Sequence, residues 1–324
     1  MAFFNNTTAQ NASQPAAAQL GWTPLLLAST TISCASFTCN AIMLLLQFLP
    51  QTLVTSFTIY LIAISIGNIV WLVGVRPLAV YSSITGVWPG GHGVCATYTY
   101  FQFVISQIPV LIHVLISLNR LWAVSYPASY RQIHHKKMAV LLCLATVAYV
   151  HVVHFTMFLL EFFHYSPAVK PSGCQPGAGG ILNWRRVDII IHRIIPLFLV
   201  LGIYIHIIFK RWMKKHEQQA VNPASSQNAT ASTKAAGEAG GLERLAGIMQ
   251  AGRRRSLIKR RQVKPFIILT ATSITVFICW VPSDVYWALI YLNFRLPYWV
   301  FNITSTLYSL QMFFDPIMWL ISLR

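Results

Sequence analysis

Charge is scarce in this chain: only 10% of its 324 residues are Asp, Glu, Lys or Arg, and just 7 are acidic. Soluble globular domains carry about 25% charged residues, so a molecule clad entirely in a water-facing surface is excluded. Cysteine is also sparse, at 6, which rules out a small disulfide-rich scaffold. The chain has no His-Glu-x-x-His and no comparable pairing of nucleophile and base, so no motif points to an enzyme. It also shows no internal repeat, which weighs against a transporter built from inverted halves.

In place of charge there is apolar length. Hydrophobic residues make up 56% of the chain and gather in seven runs, at about 20–48, 53–81, 96–124, 138–163, 187–209, 264–290 and 297–322. Roughly 20 consecutive apolar residues cross the hydrocarbon core as a helix, the one single-segment structure that satisfies its own backbone there. The pattern predicts an all-α membrane protein, a seven-transmembrane helix bundle spanning residues 20–324 behind a short tail at 1–19.

The formal net charge is +17, from 24 Lys/Arg. In a soluble protein that excess would suggest nucleic acid, but its placement here follows topology instead. With the N-terminus outside, inner loops and C-terminus hold 17 of the 24 basic residues, 13 of them between Lys210 and Lys264. Outer regions hold Lys170, Arg185, Arg186 and Arg295, while Arg76, Arg120 and Arg193 fall within spans. The positive-inside rule therefore predicts an extracellular N-terminus and a cytoplasmic C-terminus, and no nucleic-acid partner. Asn5, Asn6 and Asn11 each begin a glycosylation sequon in the tail, as does Asn228 in a loop placed inside. The first residues lack a basic region and cleavage site, so the first span is expected to be an uncleaved anchor.

Two loops are long. The outer one, at about 164–186, contains Pro167, Pro171 and Pro176 and is expected to be irregular. The inner one, at about 216–252, is rich in Ala, Gly, Ser, Gln and Asn and is expected to be a disordered tether. It ends in Arg253-Arg254-Arg255-Ser256 and Lys259-Arg260-Arg261. That basic run has three readings: attraction to anionic lipid, docking of a cytosolic partner, and phosphorylation of Ser256.

Six of the spans carry a further set of residues. Asn40 lies in the first, and Leu61-Ile62-Ala63-Ile64-Ser65-Ile66-Gly67-Asn68 in the second. The third has Asn119-Arg120-Leu121, with Pro127 seven residues past the arginine, and the fifth has Pro196 followed eight residues on by Tyr204. The sixth has Cys279-Trp280-Val281-Pro282, and the seventh ends in Asp315-Pro316-Ile317-Met318-Trp319. In this order and spacing the set resembles the rhodopsin-like (class A) G-protein-coupled receptor family, over nearly the whole chain and as a divergent member. The family has aspartate at Asn68, an acid at Asn119 and tyrosine at Trp319.

The resemblance implies a plasma-membrane receptor that binds an extracellular ligand and signals to a heterotrimeric G protein. The sixth helix would move outward about a hinge at Pro282. It implies roles in activation and coupling for Asn119, Arg120, Tyr204, Pro282, Asp315, Pro316 and Trp319. Because Asn119 replaces the carboxylate that restrains the family's arginine, elevated basal signalling is expected. Cys95 and Cys174 are the only cysteines placed outside, in an oxidising compartment, and are expected to pair. Arrestin and receptor kinases are further expected partners, besides the lipid bilayer. The sequence stops shortly after Trp319 without an amphipathic eighth helix, so either it is truncated or this element is lacking; if arrestin-like partners bind, the phosphates are expected on the inner-loop residues Ser225, Ser226, Thr230, Ser232, Thr233 and Ser256.

For the ligand, the candidates are Gln102, Ser106, Asp188, His192, Trp280 and Asp284, with Arg193 beside them. Intramembrane polar residues are costly unless functional or paired, and Asp188 and His192 can equally satisfy each other at their i,i+4 spacing. Gln102 stands where amine-binding members have aspartate, which favours an acidic or neutral polar ligand or a short peptide. Asn68 and Asp315 occupy the family's sodium pocket with amide and acid exchanged; a sodium ion or proton near Asp315 and plain helix packing both remain open. No other cofactor and no metal is expected. His113 reads as a satisfied core histidine. The stretch 297–323 has no lysine for a retinal Schiff base, so an opsin is excluded. A transporter or channel using Asp188, Arg193, Asp284 and Asp315 is the rival reading.

Overall fold

The computed structural model describes residues 21–47, 55–163, 168–170, 173–175, 180–233, 271–272, 274–290, 292, 294 and 296–323. The sequons at Asn5, Asn6 and Asn11 and the basic run at 253–261 lie outside them. Its helices are α1 (Pro24–Gln47), α2 (Ser56–Gly74), α3 (Arg76–Thr85), α4 (His92–Ser125), α5 (Pro127–Ile133), α6 (Lys136–Phe163), α7 (Gly180–Ile189), α8 (Ile195–Thr233), α9 (Ile274–Ile290) and α10 (Tyr298–Leu323). Among the described residues, five stretches are long and apolar enough to cross a membrane: Pro24–Gln47, Ser56–Thr85, His92–Ser125, Lys136–Leu160 and Trp184–Met213. α9 is a shorter apolar helix.

The burial pattern is that of a protein dissolved in lipid. The buried stripe of α1 is Ser29, Ser33, Ser36, Asn40 and Met43, while Leu27, Phe37, Ile42 and Leu45 face outward. Small and polar residues thus line the helix contacts, since lipid removes any gain from hiding leucine and leaves close packing and hydrogen bonds to hold helices together. The hydroxyls are satisfied within their own helix: Ser33 donates to the Ser29 carbonyl at 2.8 Å, and Ser36 to that of Ile32 at 2.7 Å.

The second span begins with a reciprocal cap, in which the Thr58 N–H donates to the Thr55 hydroxyl at 3.2 Å and the Thr55 N–H to the Thr58 hydroxyl at 3.3 Å. It breaks briefly at Val75, where Pro77 enters the first turn of α3, and stops at Gly86, whose φ of 66° needs a residue without Cβ. α4 is central, packing on α2, α6 and α8. Asn40 ties three helices together: its amide donates to the Ser36 carbonyl (2.8 Å) and the Met312 carbonyl of α10 (2.9 Å), and its oxygen accepts from Asn68 (3.3 Å).

Two expectations need correction. The long loop before the fifth span contains an antiparallel ribbon, β1 (Ala168–Lys170) paired with β2 (Gly173–Gln175), so it is less irregular than its prolines suggest. The Cys95–Cys174 disulfide, with Cα atoms 5.4 Å apart, fastens β2 to the start of α4. The segment from 216 is helical as far as Thr233, because α8 continues past the apolar run. Glu217, Gln218, Gln219 and Ala220 are good helix formers and extend α8 beyond its apolar run.

Candidate functional site

The fifth span is irregular where it matters. Between α7 and α8, Ile190–Ile194 forms a π turn, in which the Ile195 N–H donates to the Ile190 carbonyl five residues back. Pro196 explains it: having no N–H, it cannot bond the His192 carbonyl four residues earlier, and the wider turn absorbs the mismatch. The π turn carries His192 and Arg193.

Beneath the disulfide lies a cavity of about 90 Å³ whose polar wall is Gln102, Ser106, Gln107, Asp188 and Arg193, with Tyr98 and Trp287 beside them. Liquid water occupies about 30 Å³ per molecule, so this space suits a small polar guest rather than a drug-sized one. Cys174 lines it as well, which makes the ribbon its roof.

Two buried polar clusters flank the cavity. In the first, Asp188 is held from both sides: Gln107 Nε2 donates to its Oδ2 at 2.8 Å, and His192 Nδ1 lies 2.8 Å from its Oδ1. His154 Nε2 is 2.6 Å from Gln107 Oε1 and 3.5 Å from Asp188 Oδ1, and the Tyr149 hydroxyl is 2.8 Å from His192 Nε2. In the second, Arg193 pairs with Asp284 of α9 at 3.3 Å and lies 5.5 Å from the centre of the Tyr308 ring of α10. From Tyr308 the contacts lead inward: it stacks on Trp280 (6.1 Å), which meets His113 edge-on (5.4 Å), whose Nε2 faces Asp315 at 3.6 Å.

At the opposite end, Asn119 donates to the Tyr60 hydroxyl at 2.8 Å, and that hydroxyl lies 3.0 Å from His134 Nε2. Burial holds the His134 imidazole below its ordinary value. Tyr130 stacks on His134 at 4.7 Å, and burial pushes its phenol upward. The Arg120 guanidinium lies over the Phe57 ring at 4.6 Å. Among the described residues no carboxylate is ion-paired with it.

Of the residues singled out in the sequence, Gln102, Ser106 and Asp188 meet in the cavity, with Arg193. His192 sits behind Asp188; Trp280 and Asp284 are reached through Tyr308 and Arg193. Asn68 and Asp315 have separate partners, since Asn68 bonds Asn40 and Asp315 accepts from Gln311 at 2.6 Å. Asp188 and His192 pair with each other, as their i,i+4 spacing allows, and Asp188 also lines the cavity. Tyr204, Pro316 and Asp315 are buried, Pro282 is half-buried in α9, and the Trp319 side chain falls outside the description. Missed entirely were Gln107, His154 and Tyr149. Gln107 and His154 are intramembrane polar residues and were open to the same argument that found Asp188.

The profile of the 7 transmembrane receptor (rhodopsin family) matches residues 39–319, from within α1 nearly to the end of α10. A relative, Dopamine receptor 2 of Caenorhabditis elegans, is 28% identical over 174 residues, covering 52% of this chain and 20% of that protein. The chain thus aligns with about a fifth of that relative's length.

Proposed function

The chain belongs to the rhodopsin family of seven-transmembrane receptors, and from that premise we propose that it binds a small acidic or neutral polar ligand at its disulfide end and signals to a heterotrimeric G protein at its Arg120 end. On this reading the disulfide end is extracellular, which the basic excess between Lys210 and Lys264 supports, and the receptor works in the plasma membrane.

The observation that carries the ligand class is the Arg193–Asp284 pair. Arg193 stands on the cavity wall and holds α9 through Asp284 at 3.3 Å. A ligand carboxylate that bonds the guanidinium competes with Asp284 and loosens α9 from the fifth span. Asp284 lies two residues past Pro282, where the helix already lacks a hydrogen bond and bends most easily. The stack of Tyr308, Trp280 and His113 then carries the shift inward.

The relative's name refers to dopamine, an amine that needs an anion. Here the third span offers Gln102, and Asp188 is engaged by Gln107 and His192, so an amine ranks behind an acid. At the inner end Arg120 has an aromatic ring in place of a carboxylate clamp, which supports signalling without ligand. Reporter cells for each G-protein class, exposed to acidic, neutral polar, amine and peptide libraries, test this reading. It predicts a response to an acid that Arg193→Ala removes and Arg120→Ala silences. A response to amines alone, intact in Arg193→Ala, would overturn the ligand class.

A further inference from the structure

We propose that His154, Asp188 and His192 form a binding site for a divalent transition-metal ion of the zinc class, reached from the disulfide end. The proposal does not depend on the receptor reading. One ligating atom from each residue lies within 4.8 Å of the others, and all three side chains are buried. Two imidazoles and a carboxylate are a donor set that zinc takes readily, with a fourth position left for water, a carbonyl or a guest.

The distances fit. Zinc bonds of 2.0–2.1 Å in a tetrahedron set ligand atoms about 3.3 Å apart. Here His192 Nδ1 is 2.8 Å and His154 Nε2 3.5 Å from Asp188 Oδ1, and the three ligating atoms lie within 4.8 Å of one another, so imidazole rotations that move the nitrogens by about 1 Å close the set around an ion. Gln107 Oε1, 2.6 Å from His154 Nε2, gives up that hydrogen bond when the nitrogen takes the ion and is then the neighbouring carbonyl oxygen that can turn toward the fourth position.

A metal site also needs partners that orient its ligands, and they are present. Tyr149 meets the far nitrogen of His192 at 2.8 Å, so the ring proton can move there and free Nδ1 for the ion. Gln107 holds the second oxygen of Asp188 at 2.8 Å and leaves Oδ1 directed at the imidazoles. The charge balance argues the same way. Arg193 makes its ion pair with Asp284, and Asp188 sits buried between two imidazoles at the edge of the cavity. Asp188 is buried, and a divalent cation bound directly to its carboxylate offsets the cost of taking that group out of water. Asp188 lines the cavity beneath the disulfide and, with His154, a second small cavity, which gives the ion its route.

The test uses the full-length protein purified in detergent through a tag without histidine, stripped of metal and titrated with zinc chloride against a fluorescent zinc indicator. One equivalent should bind, and zinc-edge X-ray absorption should show two imidazole nitrogens with oxygen at about 2.0–2.2 Å. His154→Ala and His192→Ala should each lose that equivalent, while Tyr149→Phe should weaken it by about 10- to 100-fold. His154→Cys, which keeps a metal-binding side chain, should retain it. Should His192→Ala fail to fold, the wild-type stoichiometry and the His154→Cys result still decide. Absence of a stoichiometric zinc ion in the folded wild type, or binding unchanged in the double variant His154→Ala/His192→Ala, overturns the proposal and leaves the receptor reading standing. Zinc binding without any G-protein signalling does the reverse.

Discussion

The Arg193–Asp284 pair permits a quantitative test. Replacing Arg193 by methionine leaves the Asp284 carboxylate, 4% exposed, without its cation. At 3.3 Å two unit charges attract by about 5 kcal/mol at an effective dielectric of 20, and breaking a buried pair one-sidedly costs about 3–5 kcal/mol. At roughly 2–4 °C per kcal/mol for a domain of 150–250 residues, the melting midpoint should fall by on the order of 10 °C. Asp284→Leu should cost about as much, since it strands the guanidinium instead. The double variant Arg193→Met/Asp284→Leu strands neither charge and should melt close to wild type, because hydrophobic replacement of both partners is often neutral. Thermal denaturation of the four proteins in one detergent, followed by tryptophan fluorescence, closes the cycle. If the double variant loses the sum of the two single losses, the residues do not interact and the proposed coupling between cavity and α9 is refuted.

Cys174→Ser releases β2 from α4 and should cost about 2–5 kcal/mol, visible as lost cell-surface protein by antibody staining of intact cells. Asn40→Ala strands the Asn68 amide and the Met312 carbonyl, and should lower the melting midpoint by the equivalent of about 1–3 kcal/mol. For His134, burial holds the folded pKa below 6.5, so as pH falls through 6.5 the unfolded chain binds a proton that the folded chain refuses. Its contribution is therefore complete above pH 6.5 and declines below. The drop in melting midpoint between pH 7.5 and 5.5 should be smaller in His134→Phe than in wild type.

The helical class was legible because hydropathy alone reports a span, and span positions followed to within a few residues at α1, α4 and α6. Polar residues inside spans drew attention to Asp188, Arg193 and Asp284 before any geometry was known. What stayed hidden depends on relations between helices. Nothing local says that Gln107 of α4 and His154 of α6 converge on Asp188, or that Asn119 finds Tyr60 and His134 in place of an acid. The π turn was hidden for another reason. It differs from α-helix by a single shifted hydrogen bond, and its one signal, Pro196, is equally compatible with a plain kink.

The central claim is that this helix bundle activates a G protein through the end that carries Arg120. It is tested most directly by nucleotide exchange, with the purified receptor in lipid nanodiscs mixed in turn with G proteins of each class. The account predicts faster exchange on at least one class even without ligand, and its loss in Arg120→Ala. A folded receptor that accelerates exchange on none of them, or an Arg120→Ala variant as active as wild type, would contradict it.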